Sequence, residues 1–273
     1  MRQGQNTMSP DENGRLVILS GPSCVGKSPL FACLGKFYPE LSKRLHKLVL
    51  VNSRDPRPGE IDGVDYHFRT RTQVEALRND PRYVVVEART DLQALDMEEL
   101  QSLLCQSDAF YEGNPYVAQE LQTHSRLAKT LRLSVFISPL TREEIEYLGA
   151  LERNVSLPEL VAEIMRRKLL RRTRRQKGEL SAHDLENVET RALSTYRELQ
   201  MACRFQYVIP NHDGEDSENW DAFYYPIGDA RKTLHAFVGL LHGCVQPGVE
   251  RWDENLLRTP AQRTTKGALR PQP

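Results

Sequence analysis

The chain has no excess charge of either sign, no apolar run long enough to cross a membrane, and no two cysteines at the spacing of a metal or redox motif. Its 37 Lys and Arg balance its 37 Asp and Glu, so its total charge favours no polyanionic partner, and no nucleic-acid partner is expected. No stretch approaches ~18 apolar residues, and residues 1–14 are polar with no apolar segment of the leader-peptide kind. Neither a membrane partner nor a secretory leader is therefore expected, and the expected location is cytoplasmic. The five cysteines (24, 33, 105, 203 and 244) form no C-x-x-C pair and no Cys/His ladder of zinc spacing. This usage reads as a reducing compartment with no structural metal.

What is present is the alternation of an α/β protein. At 273 residues the chain suffices for one large domain, or a domain with inserted lids, and needs no cross-link to fold. Short apolar runs read as strands at Arg15–Ser20, Leu48–Val51, Tyr83–Glu87, Ala109–Glu112, Leu133–Ile137 and Tyr207–Ile209. Helical spacing falls at Lys27–Phe37, Thr72–Arg78, Asp96–Cys105, from Tyr116, across Thr141–Gln200, and at Leu234–Leu241. Residues 53–65, rich in Pro, Gly, Arg and Asp, read as loop. Strands alternating with helices imply a parallel sheet with crossovers.

The segment Gly21-Pro22-Ser23-Cys24-Val25-Gly26-Lys27-Ser28 fits G-x-x-x-x-G-K-[ST] between a strand and a helix. That context lets successive backbone N–H groups (Gly21, Ser23, Cys24, Val25, Gly26, Lys27, Ser28) cradle the phosphates of ATP. Lys27 would neutralise the β/γ-phosphates, and Ser28 would offer its hydroxyl to Mg²⁺. Pro29 has no N–H to donate but suits a first helical turn.

Arg54 and Arg57 lie three apart on a proline-fixed loop, where guanidinium forks can converge on one anion, and Tyr66 can add a hydroxyl. The segment Asn52 to Phe68 resembles the monophosphate-binding loop of guanylate kinases, T-T-R-x-P-R-x-G-E-x-x-G-x-D-Y-x-F. The weaker resemblance runs from about Arg15 to Leu241. It implies an α/β P-loop NTPase sheet flanked by helices, with an inserted monophosphate-binding lobe and a helical lid, and transfer of a phosphoryl group from ATP to GMP. On that resemblance Arg54, Arg57, Tyr66, Glu87 and Glu112 would bind the acceptor, Glu87 through the guanine edge. Among the basic run 166–177, Arg171, Arg174 and Arg175 would be the catalytic lid arginines, with Arg191 in V-E-T-R-A-L as a further one, alongside Lys27.

The resemblance implies a domain over 14–245, with core segments 14–50, 107–140 and 200–245, a lobe at 51–106, a lid with helical insertion at 141–199, and unstructured tails at 1–13 and 246–273. Three departures bear on the acceptor. Leu50 stands where the family has a serine, residues 90–96 lack the family's Tyr-Gly-[ST], and about twenty residues are added after Ile137. Each of the first two removes hydrogen-bond partners of a base, and with them discrimination. A kinase of this fold with another phosphorylated acceptor, and a non-catalytic interaction module, therefore stand as alternatives; oligomeric state is not legible.

Overall fold

The computed structural model describes residues 14–57 and 59–257. In chain order the elements begin with β1 (Leu16–Ser20), α1 (Lys27–Phe37), α2 (Pro39–Arg44), β2 (Leu45–Lys47), β3 (Val51–Asn52) and β4 (His67–Phe68). Next come α3 (Arg71–Ala76), β5 (Tyr83–Ala88), β6 (Asp91–Asp96), α4 (Met97–Leu104), β7 (Asp108–Gly113) and α5 (Pro115–Thr123). The remainder is β8 (Arg132–Ser138), α6 (Arg142–Leu148), α7 (Leu157–Lys177), α8 (Ala182–Leu199), β9 (Tyr207–Pro210) and α9 (Gly228–Leu241). No described helix is long and apolar enough to cross a membrane.

The main sheet has the order β2-β7-β1-β8-β9, with every pair parallel. A parallel sheet needs both faces covered, which is why its strands read as unbroken apolar runs. In β1, Leu16 and Ile18 join one core with Tyr111, Phe136, Leu199 and Trp252. Val17 and Leu19 join the opposite core with Leu34, Phe110, Met165 and Phe237. A separate four-stranded sheet, β4-β3-β6-β5, forms a lobe whose own small core is Val74, Leu92 and Ala94. Helices α7 and α8 pack on one another as an antiparallel pair.

Two expectations need correction, and one strand went unread. Leu48–Val51 is not one strand. The chain pairs with β7 through Lys47, then leaves the main sheet, and Leu48 and Leu50 turn into the shared core before β3 starts the lobe. Residues 91–96 form a full strand, β6, paired in register from Tyr83↔Asp96 to Ala88↔Asp91. Residues 246–257 are not an unstructured tail. Glu250 exchanges backbone hydrogen bonds with Val208 (2.8 Å each), covering the β9 edge, and Trp252, Leu256 and Leu257 are buried. Those three apolar side chains give this stretch a reason to pack. The expectations for 1–13 and 258–273 lie outside the described residues.

His212 joins two helices at the surface. Its Nδ1 lies 2.5 Å from Asp229 of α9, and its Nε2 lies 2.9 Å from Glu144 of α6. Burial works to lower the imidazole, but the two carboxylates outweigh it and hold it above its ordinary value. A group raised in the folded chain stabilises below its unfolded value of 6.5 and loses that contribution as pH rises through the folded one. His212→Gln should therefore cost more thermal stability at pH 6 than at pH 9, read as the difference in Tm from the unsubstituted chain at each pH. An equal loss at both pH values would mean the contact is not ionic.

Candidate active site

The P-loop closes on itself through its glycines. Gly21 adopts φ +146° and Gly26 φ +93°. A Cβ at Gly21 would lie 2.4 Å from the Ile137 carbonyl oxygen, and one at Gly26 would lie 2.6 Å from Asn211 Nδ2. Neither position tolerates a side chain. Asn211, fully buried, ties the loop down by donating to the Val25 carbonyl at 2.8 Å. Cys24 and Val25 turn their side chains into the core, so only their backbone is available to a ligand. Lys27 opens α1, and its Nζ donates to the carbonyls of Gly21 (3.0 Å) and Pro22 (2.6 Å). Burial lowers its ammonium from the ordinary lysine value.

Gly21, Ser23, Lys27 and Ser28 share one cleft with Arg54, Arg57, Tyr66 and Glu112. The P-loop and the arginine loop therefore face each other across an open volume of ≈ 160 Å³. Ser28 Oγ donates to Glu112 at 2.8 Å, and burial raises the Glu112 carboxyl. Glu60 holds Arg54 by two bonds of 2.6 Å and accepts from the Arg57 backbone N–H at 2.7 Å. Arg57 itself has no carboxylate within ion-pair distance among the described residues. Burial first, then the neighbouring Arg54 and Arg172, push its guanidinium down to about 10. Burial likewise raises the Tyr66 hydroxyl.

The arginines of α7 separate by helical face. On α7, Met165, Lys168, Leu169 and Arg172 are buried, whereas Arg174 and Arg175 are exposed. Arg171 is also exposed, 3.3 Å from Asp216. Arg172, not Arg171, Arg174 or Arg175, lines the cleft, because the period of 3.6 residues carries the inward stripe from Met165 to Arg172. Arg191 of α8 lines an adjoining cavity of ≈ 420 Å³ with Arg54, Arg57 and Arg172. Among the described residues no carboxylate pairs with it. Burial and the charges of Arg57, Arg172, Arg89 and Arg54 push its guanidinium down to about 8.

Glu87 is not in the cleft. In the β5–β6 ladder it opposes Leu92, which belongs to the lobe's own core, and it is exposed on that face. The other face of β6 presents Gln93. Sequence reasoning missed Gln93, Asn114, Lys47, Arg89, Arg172 and Glu215, all of which line the cleft. Asn114-Pro115 is a legible helix start, and Asn114 caps α5 by accepting from Tyr116 and Val117 N–H. Arg89 sits in the tight turn between β5 and β6 at φ +61°. Its guanidinium reaches Glu198 of α8 at 2.7 and 2.9 Å, fastening the lobe to α8.

Glu215 is an internal anion in this cationic cleft. It accepts from Arg172 at 2.7 Å. Burial works to raise its carboxyl, but the charges of Arg172 and Lys27, with the Arg172 hydrogen bond, hold it below the usual carboxylate value. A bound polyphosphate would meet that carboxylate as a like charge. Glu215→Gln should tighten ATP binding about tenfold, since a unit charge across a cleft of this width is worth roughly 1–2 kcal/mol. Titration calorimetry with ATP checks this; unchanged or weaker binding would mean that Glu215 is displaced without cost.

A sequence profile described as guanylate kinase matches residues 13–93. Over 191 residues the chain is 31% identical to the guanylate kinase of Mycolicibacterium paratuberculosis (strain ATCC BAA-968 / K-10), covering 66% of this chain and 75% of that one. It is 28% identical over 227 residues to the guanylate kinase of Synechococcus sp. (strain JA-3-3Ab), covering 83% and 89%. A shorter stretch of 68 residues is 50% identical to the guanylate kinase of Mycobacterium bovis (strain ATCC BAA-935 / AF2122/97), covering 25% of this chain and 31% of that one.

Proposed function

This chain belongs to the guanylate kinase family, and on that footing we propose that its cleft transfers the γ-phosphoryl group of ATP to GMP, giving ADP and GDP. The observation that carries this reading is the single cleft shared by the P-loop and the Arg54–Arg57 loop. One wall is built for a triphosphate, and the other presents guanidinium groups to a second phosphate.

Phosphoryl transfer asks for positioning and for neutralisation of spread negative charge, which is what these residues supply. The P-loop amides and Lys27 hold the donor phosphates. Arg54, kept in place by Glu60, and Arg57 hold the acceptor phosphate, with the Tyr66 hydroxyl beside them. Arg172 and Arg191 stand on the lid side, ready for the charge on the group in transit. The Ser28 hydroxyl and the Glu112 carboxylate offer the hard oxygen donors that suit Mg²⁺. The ion, when bound, supplies charge neutralisation on the β- and γ-phosphate oxygens. The lobe of 51–106 and the lid of 141–199 are the two parts that would close over the acceptor, and the cytoplasm is where its nucleotide substrates are found.

The test is ADP formation with ATP and Mg²⁺ across a panel of nucleoside monophosphates. ADP release dependent on GMP supports the reading. Tight ATP binding with no turnover on any monophosphate would favour another phosphorylated acceptor, and no ATP binding at millimolar concentration would leave a non-catalytic module.

A further inference from the structure

The departures from the family pattern raise the question of how this cleft chooses a base, and an answer rests on the kinase reading above. Four carboxylates line the cleft, and the chain itself occupies each. Glu60 holds Arg54. Asp65 meets Lys47 at 3.5 Å and the Ile61 N–H at 2.9 Å. Glu112 takes the Ser28 hydroxyl, and Glu215 takes Arg172. Glu87 faces the other side of the lobe. Leu50, 3% exposed, offers no polar atom.

What remains is the carboxamide of Gln93, on the cleft face of β6 and 7% exposed. Its orientation is fixed through Asn114. Asn114 Oδ1 accepts two backbone N–H groups of α5, at 3.0 and 3.1 Å. Its Nδ2 must then be the atom that reaches Gln93, and it donates to Gln93 Oε1 at 3.0 Å. Gln93 is left with Nε2 as donor and the second lone pair of Oε1 as acceptor. A donor beside an acceptor complements the N1–H and C6=O of a 6-oxopurine. Adenine presents the reverse, an acceptor N1 beside an amino donor. Accepting it would require the Gln93 amide to turn over, setting its NH₂ against the NH₂ of Asn114 with neither satisfied. The 2-amino group, which alone separates guanine from hypoxanthine, meets no unengaged carboxylate.

We propose that Gln93, oriented by Asn114, is the specificity-determining residue of the acceptor site. It reads the N1–H/C6=O edge and not the 2-amino group, so IMP serves as acceptor nearly as well as GMP, and AMP does not.

The experiment is kcat/KM for GMP, IMP and AMP with ATP and Mg²⁺, on the full chain and on Gln93→Glu. Expected values for the unsubstituted chain are IMP within about fivefold of GMP and AMP lower by at least about 100-fold. Gln93→Glu puts a carboxylate opposite N1–H and the 2-amino group, so the GMP-to-IMP ratio should rise at least about tenfold. The ratio is unaffected by any loss of folded enzyme in the variant. GMP turnover with IMP worse by about 30-fold or more, AMP equal to GMP, or an unchanged ratio in Gln93→Glu would each overturn the inference and leave the kinase standing. No ADP with any monophosphate would remove the kinase reading, and this inference with it.

Discussion

Lys27→Ala should lower kcat by about 10²–10³-fold, the usual loss when one preorganised donor to developing charge is removed, and should leave the ligand-free fold at least as stable. The two halves of this expectation have one cause. Lys27 is 6% exposed, and its ammonium reaches only two carbonyl oxygens of its own loop. Burial therefore penalises the charge, which is why its value is lowered. A charge held at a cost in the free chain is held for a ligand, and the triphosphate is the anion the loop is shaped to take. Truncation removes the cost and the catalysis together. Steady-state kinetics beside a thermal melt checks both halves. Near-normal turnover would mean the cleft is not where chemistry occurs, and a large fall in Tm would mean that Lys27 serves the fold.

Arg191→Ala should lower kcat by about 10³-fold or more, within the range seen for arginines that clamp a phosphoryl group in transit, while raising the Tm of the ligand-free chain. Arg191 is surrounded by Arg54, Arg57, Arg89 and Arg172 with no carboxylate partner among the described residues, and its guanidinium is pushed down to about 8. A cation whose folded value lies below its unfolded one costs stability wherever it is protonated in both states, which includes pH 7. Removing it relieves that cost, at about 2–4 °C of Tm per kcal/mol for a domain of 150–250 residues. Activity and stability then move in opposite directions, as they do where a site stores strain for its ligand. The contrast is Arg174→Ala. That side chain lies on the exposed face of α7, and its removal should leave both quantities nearly unchanged. Loss of activity in Arg174→Ala with none in Arg191→Ala would invert the assignment of lid faces.

The placing of the P-loop was legible in the sequence because its signals are local. A glycine pattern between an apolar run and a helix has few physical meanings, and the strand and helix appear where it demands. The arginine loop was legible for the same reason, since proline and glycine spacing fix Arg54 and Arg57 within one turn of chain. The wall of the cleft that carries Gln93 was not. Glu87 fell on the wrong face because a one-residue difference along a strand reverses direction, and nothing local shows which face of β5 a neighbouring helix will cover. Gln93 and Asn114 lie 21 apart in sequence and meet only through the fold. Arg172 could have been found by following the stripe Met165, Lys168, Leu169, whereas counting basic residues favoured its exposed neighbours. The packed strap at 246–257 was hidden because the composition of the whole segment 246–273, with four prolines and two glycines, masked the three apolar residues that anchor it.

The most direct measurement is calorimetric titration with a bisubstrate analogue, adenosine and guanosine joined by five phosphates, which spans both walls only if they share a cleft. One molecule should bind per chain, more tightly than either ATP or GMP. Either nucleotide should displace it, and both Lys27→Ala and Arg57→Ala should weaken it. Binding no tighter than ATP alone, insensitive to GMP and to Arg57→Ala, would contradict the claim that the two loops grip opposite ends of one reaction.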